Sequence, residues 1–371
     1  MTSVPCSPLP VPSFKETLHD IADNIQIEFS ELRISDSHYP PIVTPTATVA
    51  QLQKMPQLIQ YKYLNSQLLK FIYSIYFEGS RTTEVSPGIK TNEQILQEID
   101  SREIDWEFYE QLDRNNDGRG FFHPGYHIIR QEADGSLATE FDGAILHIQR
   151  ERHLPLSLQS ATVNDPVAVL LPSSFIHGNR YRANGDGIGG LPPMKFHSEG
   201  IVVYFNFSPE AAVWAMKYLT TKLNEVKVPF AFEVLHNPLN YRLYNSGFLK
   251  FLYNPDESYR YKEILLPVLQ TIYAENKSHF REQVPIFTKV LAPGIGLAEH
   301  PASELKFGLQ QQFGENRCEI VANAMLEAHQ NGDESKQARM KYIIQHFQRL
   351  GLDIERPYLN PNSEDIYTPL E

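Results

Sequence analysis

Three short apolar runs constrain this chain more than any other feature: Ile201–Phe207 (IVVYFNF), Val228–Leu235 (VPFAFEVL) and Gly247–Tyr253 (GFLKFLY). Runs of this length are too short for helices and read as buried strands. Between the first two, Pro209 opens a helix to about Val226, with Ala211, Ala212, Ala215, Met216, Leu219 and Leu223 at helical spacing. Just upstream, Lys195-Phe196-His197 would place its lysine and imidazole on one face of an extended segment. The connection between the last two runs carries Arg242. Strand-borne cations and an imidazole on one sheet surface are the residue types that handle a phosphorylated substrate.

The rest of the composition narrows the field. With 371 residues the chain suffices for one large or two ordinary domains, and 42% hydrophobic with 11% aromatic content excludes a disordered chain. A formal net charge of −12 argues against nonspecific nucleic-acid or anionic-membrane partners, so an anion site must be a local cluster. Two cysteines, Cys6 and Cys318, support neither a disulfide framework nor a structural zinc site. There is no apolar run of membrane-spanning length, and MTSVPCSPLPVPSF lacks a signal pattern. The expectation is a soluble cytoplasmic protein, with export by a pathway the sequence does not reveal left open.

Along the chain, residues 1–13 read as a disordered, proline-rich tail, residues 14–155 as a helical N-terminal region with a small β unit, and residues 156–371 as an α+β domain. Helices are expected over Phe14–Leu32, over Gln51–Glu78 with a break near Pro56, and over Thr91–Tyr109 with Asn92 as cap. The aromatic stripe of Gln51–Glu78 reads as helix–helix core, with a peptide-binding groove as the alternative. Asp113–Gly118 copies half of an EF-hand loop, but Pro124 stands where the bidentate glutamate is required, so a polar turn is expected. Ala133-Asp134-Gly135 then turns into a strand at Leu137–Gln149.

Gly185, Gly187 and Gly190 satisfy a GxGxxG spacing, yet Pro192-Pro193 follows in place of a helix. That leaves a glycine-rich loop or lid carrying Arg180 and Arg182, or a solvated loop whose arginines bind nothing. Further on, helices are expected over Ser258–Phe280, Lys306–Glu327 and Glu334–Gln348, an extended run over Val284–Ala292, and a turn over Pro293–Gly296. The fold class that results is α+β: a helical N-terminal region followed by a mixed, largely antiparallel sheet with flanking helices.

Six phrases taken together carry a family resemblance: YFNFSPEAA, LNEVKVPFAFEVLHNP, YRLYNSGFLKF, VPIFTKVLAPGIGLAEHP, FGENRCEIVANAMLEA and RPYLNPNSEDIYTPL. They cover most of residues 110–371, and the chain resembles the HopA-type effector family, named for a plant-pathogen type III effector. Related proteins include lyases of lanthipeptide (RiPP) synthesis, which are similar to the OspF and SpvC phosphothreonine lyases. The resemblance implies a carbon–oxygen lyase that removes phosphate from phosphoserine or phosphothreonine by β-elimination, leaving a dehydroamino acid. It implies no metal or organic cofactor, a phosphorylated peptide or protein as substrate, and a partner kinase.

By the family pattern His197 would be the general acid, with Lys195 beside it polarising the carbonyl or binding phosphate. Arg242 and Arg317 would bind phosphate. Glu233 stands where a lysine base is expected, and Lys250 on the next apolar run is the residue that would replace it. A carboxylate at 233 would repel a phosphate dianion. The runner-up is therefore a non-catalytic protein or effector that holds a phosphopeptide or another partner.

Overall fold

The structure, a computed structural model, describes residues 13–80, 103–187, 200–252, 259–301 and 312–370. Helix α1 (Phe14–Asn24) is fixed by a capping box in which Ser13 Oγ accepts from Glu16 N and Glu16 accepts from Ser13 N. The helix expected as far as Leu32 stops at Ile25. Ile25 and Ile27 are both buried while Gln26 is exposed, a period of two, and β1 (Gln26–Glu28) pairs with β2 (Arg33–Ser35).

Helices α2 (Thr46–Leu52) and α3 (Gln57–Ile72) divide at Pro56, as expected, and α3 ends in a π turn at Tyr73–Phe77. Phe71, Tyr76 and Phe77 of the aromatic stripe are core. The Asn92 cap lies outside the described residues. Helix α4 (Trp106–Arg114) starts at Asp105, whose Oδ1 accepts from Phe108 N at 2.9 Å.

Residues after α4 form the polar turn that Pro124 implied. Asp113 accepts from Tyr181 Oη at 2.9 Å and from Ser174 Oγ at 3.1 Å, and Asp117 pairs with Lys217. A four-stranded sheet follows, ordered β5-β4-β3-β6, from β3 (Phe121–Gln131), β4 (Leu137–Phe141), β5 (Ala144–Ile148) and β6 (Pro166–Leu171). The single strand expected over Leu137–Gln149 is a hairpin, because Asp142 and Gly143 both adopt positive φ. The sheet has its own small core around Tyr126, Ile128 and Val167. Since β6 completes it, this unit reaches past the 155/156 boundary read from the sequence.

The second sheet has seven strands: β7 (Ser174–His177), β8 (Arg180–Asn184), β9 (Ile201–Phe205), β10 (Phe230–Leu235), β11 (Gly247–Phe251), β12 (Lys289–Ala292) and β13 (Ile295–Glu299). Their order is β12-β13-β9-β11-β10-β8-β7, and every described pairing is antiparallel. Helix α5 (Pro209–Glu225) starts at Ser208, with Pro209 in its first turn, and buries the apolar positions read from its spacing. Helix α6 (Leu266–Asn276) packs against α5. Helices α7 (Phe313–Gln330) and α8 (Lys336–Arg349) complete the domain.

Two expectations change here. Ile295 and Gly296, read as part of a turn, begin β13; the turn is Pro293-Gly294 alone. A Cβ on Gly294, whose φ is +73°, would meet the Arg281 carbonyl at 2.4 Å. Arg180 and Arg182, read as loop or lid residues, lie on β8 in the sheet and are buried. The resulting α+β fold, helices followed by antiparallel sheet, is otherwise the one expected.

Candidate functional site

Antiparallel register decides which side chains share a face. Glu233 on β10 stands opposite Arg182 on β8 and Phe248 on β11; Arg182 stands opposite Phe175 on β7, and Phe248 opposite Tyr204 on β9. Directly opposed residues point the same way, so these five form one row across the sheet. The adjacent rows place Arg180 beside His177, and Lys250 between Ala231 and Val202. One sheet face thus collects Arg180, Arg182, Lys250, His177 and Glu233. Tyr204 marks where this face is covered, its ring 5.3 Å from Phe77 and 6.5 Å from Phe313.

Glu233 is 1% exposed, and burying a lone carboxylate is costly. Two partners offset that cost. His177 Nδ1 lies 3.0 Å from Oε2, and Arg182 Nη1 lies 3.3 Å from Oε1. The Arg182 contact lacks hydrogen-bond alignment, so the charges hold that oxygen without a directed bond. Arg182 Nε donates to Asn184 Oδ1 at 3.0 Å, and its guanidinium lies over the Phe175 ring at 5.4 Å.

Arg180 is used differently. It donates to the carbonyls of Asn245 (2.9 Å) and Ser246 (3.2 Å) and stacks 5.0 Å from the Phe248 centroid. These bonds tie the start of β11 to β8. Burial lowers the pKa of both arginines, opposed by Glu233 in each case.

Lys250 is the least engaged cation of the face. Its Nζ lies 5.9 Å from the Phe248 centroid, and no carboxylate among the described residues comes within the 4.0 Å of an ion pair. Burial depresses its pKa below the ordinary lysine value; Glu233 works against the shift and Arg182 adds to it. An amine in this condition is a better base near neutral pH than a solvated lysine.

The remaining candidates fall elsewhere. Arg317, on α7, is 2% exposed and donates to the carbonyls of Pro357 (2.8 Å) and Leu359 (3.1 Å) and to Asn316 Oδ1. These bonds clamp the C-terminal segment to α7, away from the Glu233 row. Glu299 assists, accepting from Asn360 N and Tyr367 Oη. Arg242 is exposed after the Pro238–Asn240 turn and makes no ion pair or side-chain hydrogen bond with the Glu233 group among the described residues. Lys195 and His197 lie outside the described residues. His177 was missed in the sequence, although a Gly178-Asn179 turn between alternating segments was a signal for the hairpin that carries it.

No cluster of three or more His, Cys, Asp or Glu side chains fit to hold a metal exists among the described residues, nor any helix long and apolar enough to cross a membrane.

The face belongs to a region with known relatives. Residues 179–359 match the HopA1 effector protein family, so the resemblance to that family holds over the span that carries β8 to β13. Two solved structures are similar. An effector protein from Pseudomonas syringae pv. tomato strain DC3000 has 15% identity and a TM-score of 0.40, covering 84% of this chain and 94% of that one. Another, from Pseudomonas syringae pv. syringae strain 61, has 12% identity and a TM-score of 0.40, covering 85% and 94%. No curated protein matches the chain.

Proposed function

We propose that this is an effector-type protein whose β8–β10–β11 face receives a phosphorylated serine or threonine of a peptide or protein and eliminates the phosphate. The observation that carries the reading is the position of Lys250: a half-buried amine with lowered pKa and no paired carboxylate among the described residues, one row from Arg182. In the proposed step the Lys250 amine takes the substrate Cα proton. The electron pair forms the Cα=Cβ bond, the Cβ–O bond breaks, and phosphate leaves with its bridging oxygen. That oxygen needs a proton, which the family resemblance assigns to His197; His177 is the half-exposed imidazole on the described face. Arg182 offers the departing dianion a planar set of donors.

This reading moves the base from position 233 to position 250. Glu233 becomes a positioning group that holds Arg182 and His177. Binding of a phosphothreonine peptide, compared with its unphosphorylated form by calorimetry, tests the anion site. A preference for the phosphorylated peptide that Arg182→Met abolishes supports it; equal binding of both peptides rejects it.

A second reading is favoured by the same Glu233. Its charge already occupies Arg182 and His177, which suits a protein that binds phosphopeptides without turning them over. Phosphate-dependent binding with no altered product would select that reading.

A further inference from the structure

A cavity of about 470 Å³, lined by none of the cationic sheet face's residues, lies between α1, residues near Tyr39, the π turn after α3 and the segment 283–290. Its walls are aromatic. Tyr39 and Tyr76 meet edge to face with centroids 6.1 Å apart, Phe14 and Phe287 do so at 5.5 Å, and the Tyr244 ring adds another surface. Among the described residues the lining includes the acidic Glu16 and Asp20 and no lysine, arginine or histidine.

The acidic group is held in place before any ligand arrives. Tyr76 Oη donates to Asp20 Oδ2 at 2.8 Å, and Asn24 Nδ2 donates to Asp20 Oδ1 at 2.6 Å. Burial, with the bond to Asp20, keeps the Tyr76 phenol above its ordinary pKa, so it remains a donor. Tyr244 is backed by Gly79, whose φ is +67°; a Cβ there would lie 2.5 Å from the Tyr244 ring. The ring therefore rests directly against main chain.

Aromatic faces attract a cation through their quadrupole, and a fixed carboxylate at one edge adds charge complementarity. The volume falls within the range of small-ligand pockets, roughly 300–1,000 Å³. We propose that this cavity binds an organic cation, an alkylammonium or guanidinium group with an apolar body, seated among Tyr39, Tyr76 and Tyr244 with Asp20 as counter-charge. The same chemistry is offered by a small free ammonium compound and by a lysine or arginine side chain of a partner protein.

Calorimetric titration of the full chain with choline, with its neutral isostere 3,3-dimethylbutanol, and with a glycine-flanked arginine peptide tests this. Choline or the peptide should bind, and the neutral isostere should bind at least about tenfold more weakly. Whichever cation binds tighter identifies the source, free compound or side chain. Asp20→Asn, which keeps an acceptor for Tyr76, should weaken cation binding about tenfold, and Tyr39→Leu should weaken it too; melting near that of the parent shows that each variant folds. The proposal fails if neither cation binds up to about 10 mM, if the neutral isostere binds as well as choline, or if folded Asp20→Asn binds undiminished.

Discussion

Glu233 and His177 meet across an intervening strand: Oε2 on β10 lies 3.0 Å from Nδ1 on β7, with β8 running between them. A carboxylate accepts, so the contact suits the tautomer with its proton on Nδ1, and half of the His177 side chain stays exposed. Arg182, from the strand between, approaches the other oxygen. The carboxylate is thus the hub of its face, and the surrounding cations are arranged about it.

Removing that hub should be costly. Glu233→Leu removes the carboxylate that faces buried Arg182 at 3.3 Å and is expected to lower stability by about 3–5 kcal/mol. Adding Arg182→Leu should recover most of the loss. Urea denaturation of the two single variants and the double variant measures the coupling. Losses that simply add would show that the pair has no mutual stabilisation.

Lys250 carries a pH signature. Its folded pKa lies below the ordinary value of 10.5, so over the interval between them the unfolded chain binds more protons than the folded one. Its contribution to stability therefore rises with pH from the folded pKa towards 10.5. At neutral pH the buried charge is a burden, and Lys250→Met should raise stability by about 1 kcal/mol while removing that part of the alkaline slope. Melting temperatures from pH 7 to 10.5, wild type beside variant, show whether the slope belongs to this residue.

These residues were unequally legible in the sequence. The apolar runs made β9, β10 and β11 readable, and with them the odd carboxylate at 233 and the placement of Lys250 on a neighbouring strand. Arg180 and Arg182 were not, because a glycine-rich tail after Asn184 made the segment resemble a loop. Sequence also does not state that β7 and β8 form a hairpin on the β10 edge, which is what gives His177 its partner. Arg317 carried no mark of its clamp role, since the two carbonyls it holds there are forty residues or more away.

Arg317→Ala should release the C-terminal segment at a cost of about 3 kcal/mol, from charge-assisted bonds lost in a buried setting. Limited proteolysis should then cut near residues 357–359 while phosphopeptide affinity of the folded fraction is unchanged. Specific loss of phosphopeptide affinity, with protease resistance intact, would return Arg317 to the anion site.

Arg349 above all, with His346, both on α8, pulls the carboxyl of Glu327 on α7 down to about 2. The link to α8 is bidentate, with Arg349 Nη1 and Nη2 at 2.7 and 3.1 Å. A lowered carboxylate pKa gives stability that is present above 4.5 and lost as pH falls towards 2. The site is partly solvated, so Glu327→Gln should cost about 1 kcal/mol or less at pH 7, with the difference shrinking below pH 4.5. Paired denaturation curves at pH 7 and pH 3 check this.

Mass spectrometry of phosphoserine and phosphothreonine peptides incubated with the wild-type protein and with Lys250→Met tests the central claim most directly. The account predicts a wild-type product lacking both the phosphate and the hydroxyl oxygen, at least about a hundredfold less of it with the variant, and undiminished phosphopeptide binding by that variant. A product that regains the hydroxyl, or elimination that persists at the wild-type rate without Lys250, would contradict it.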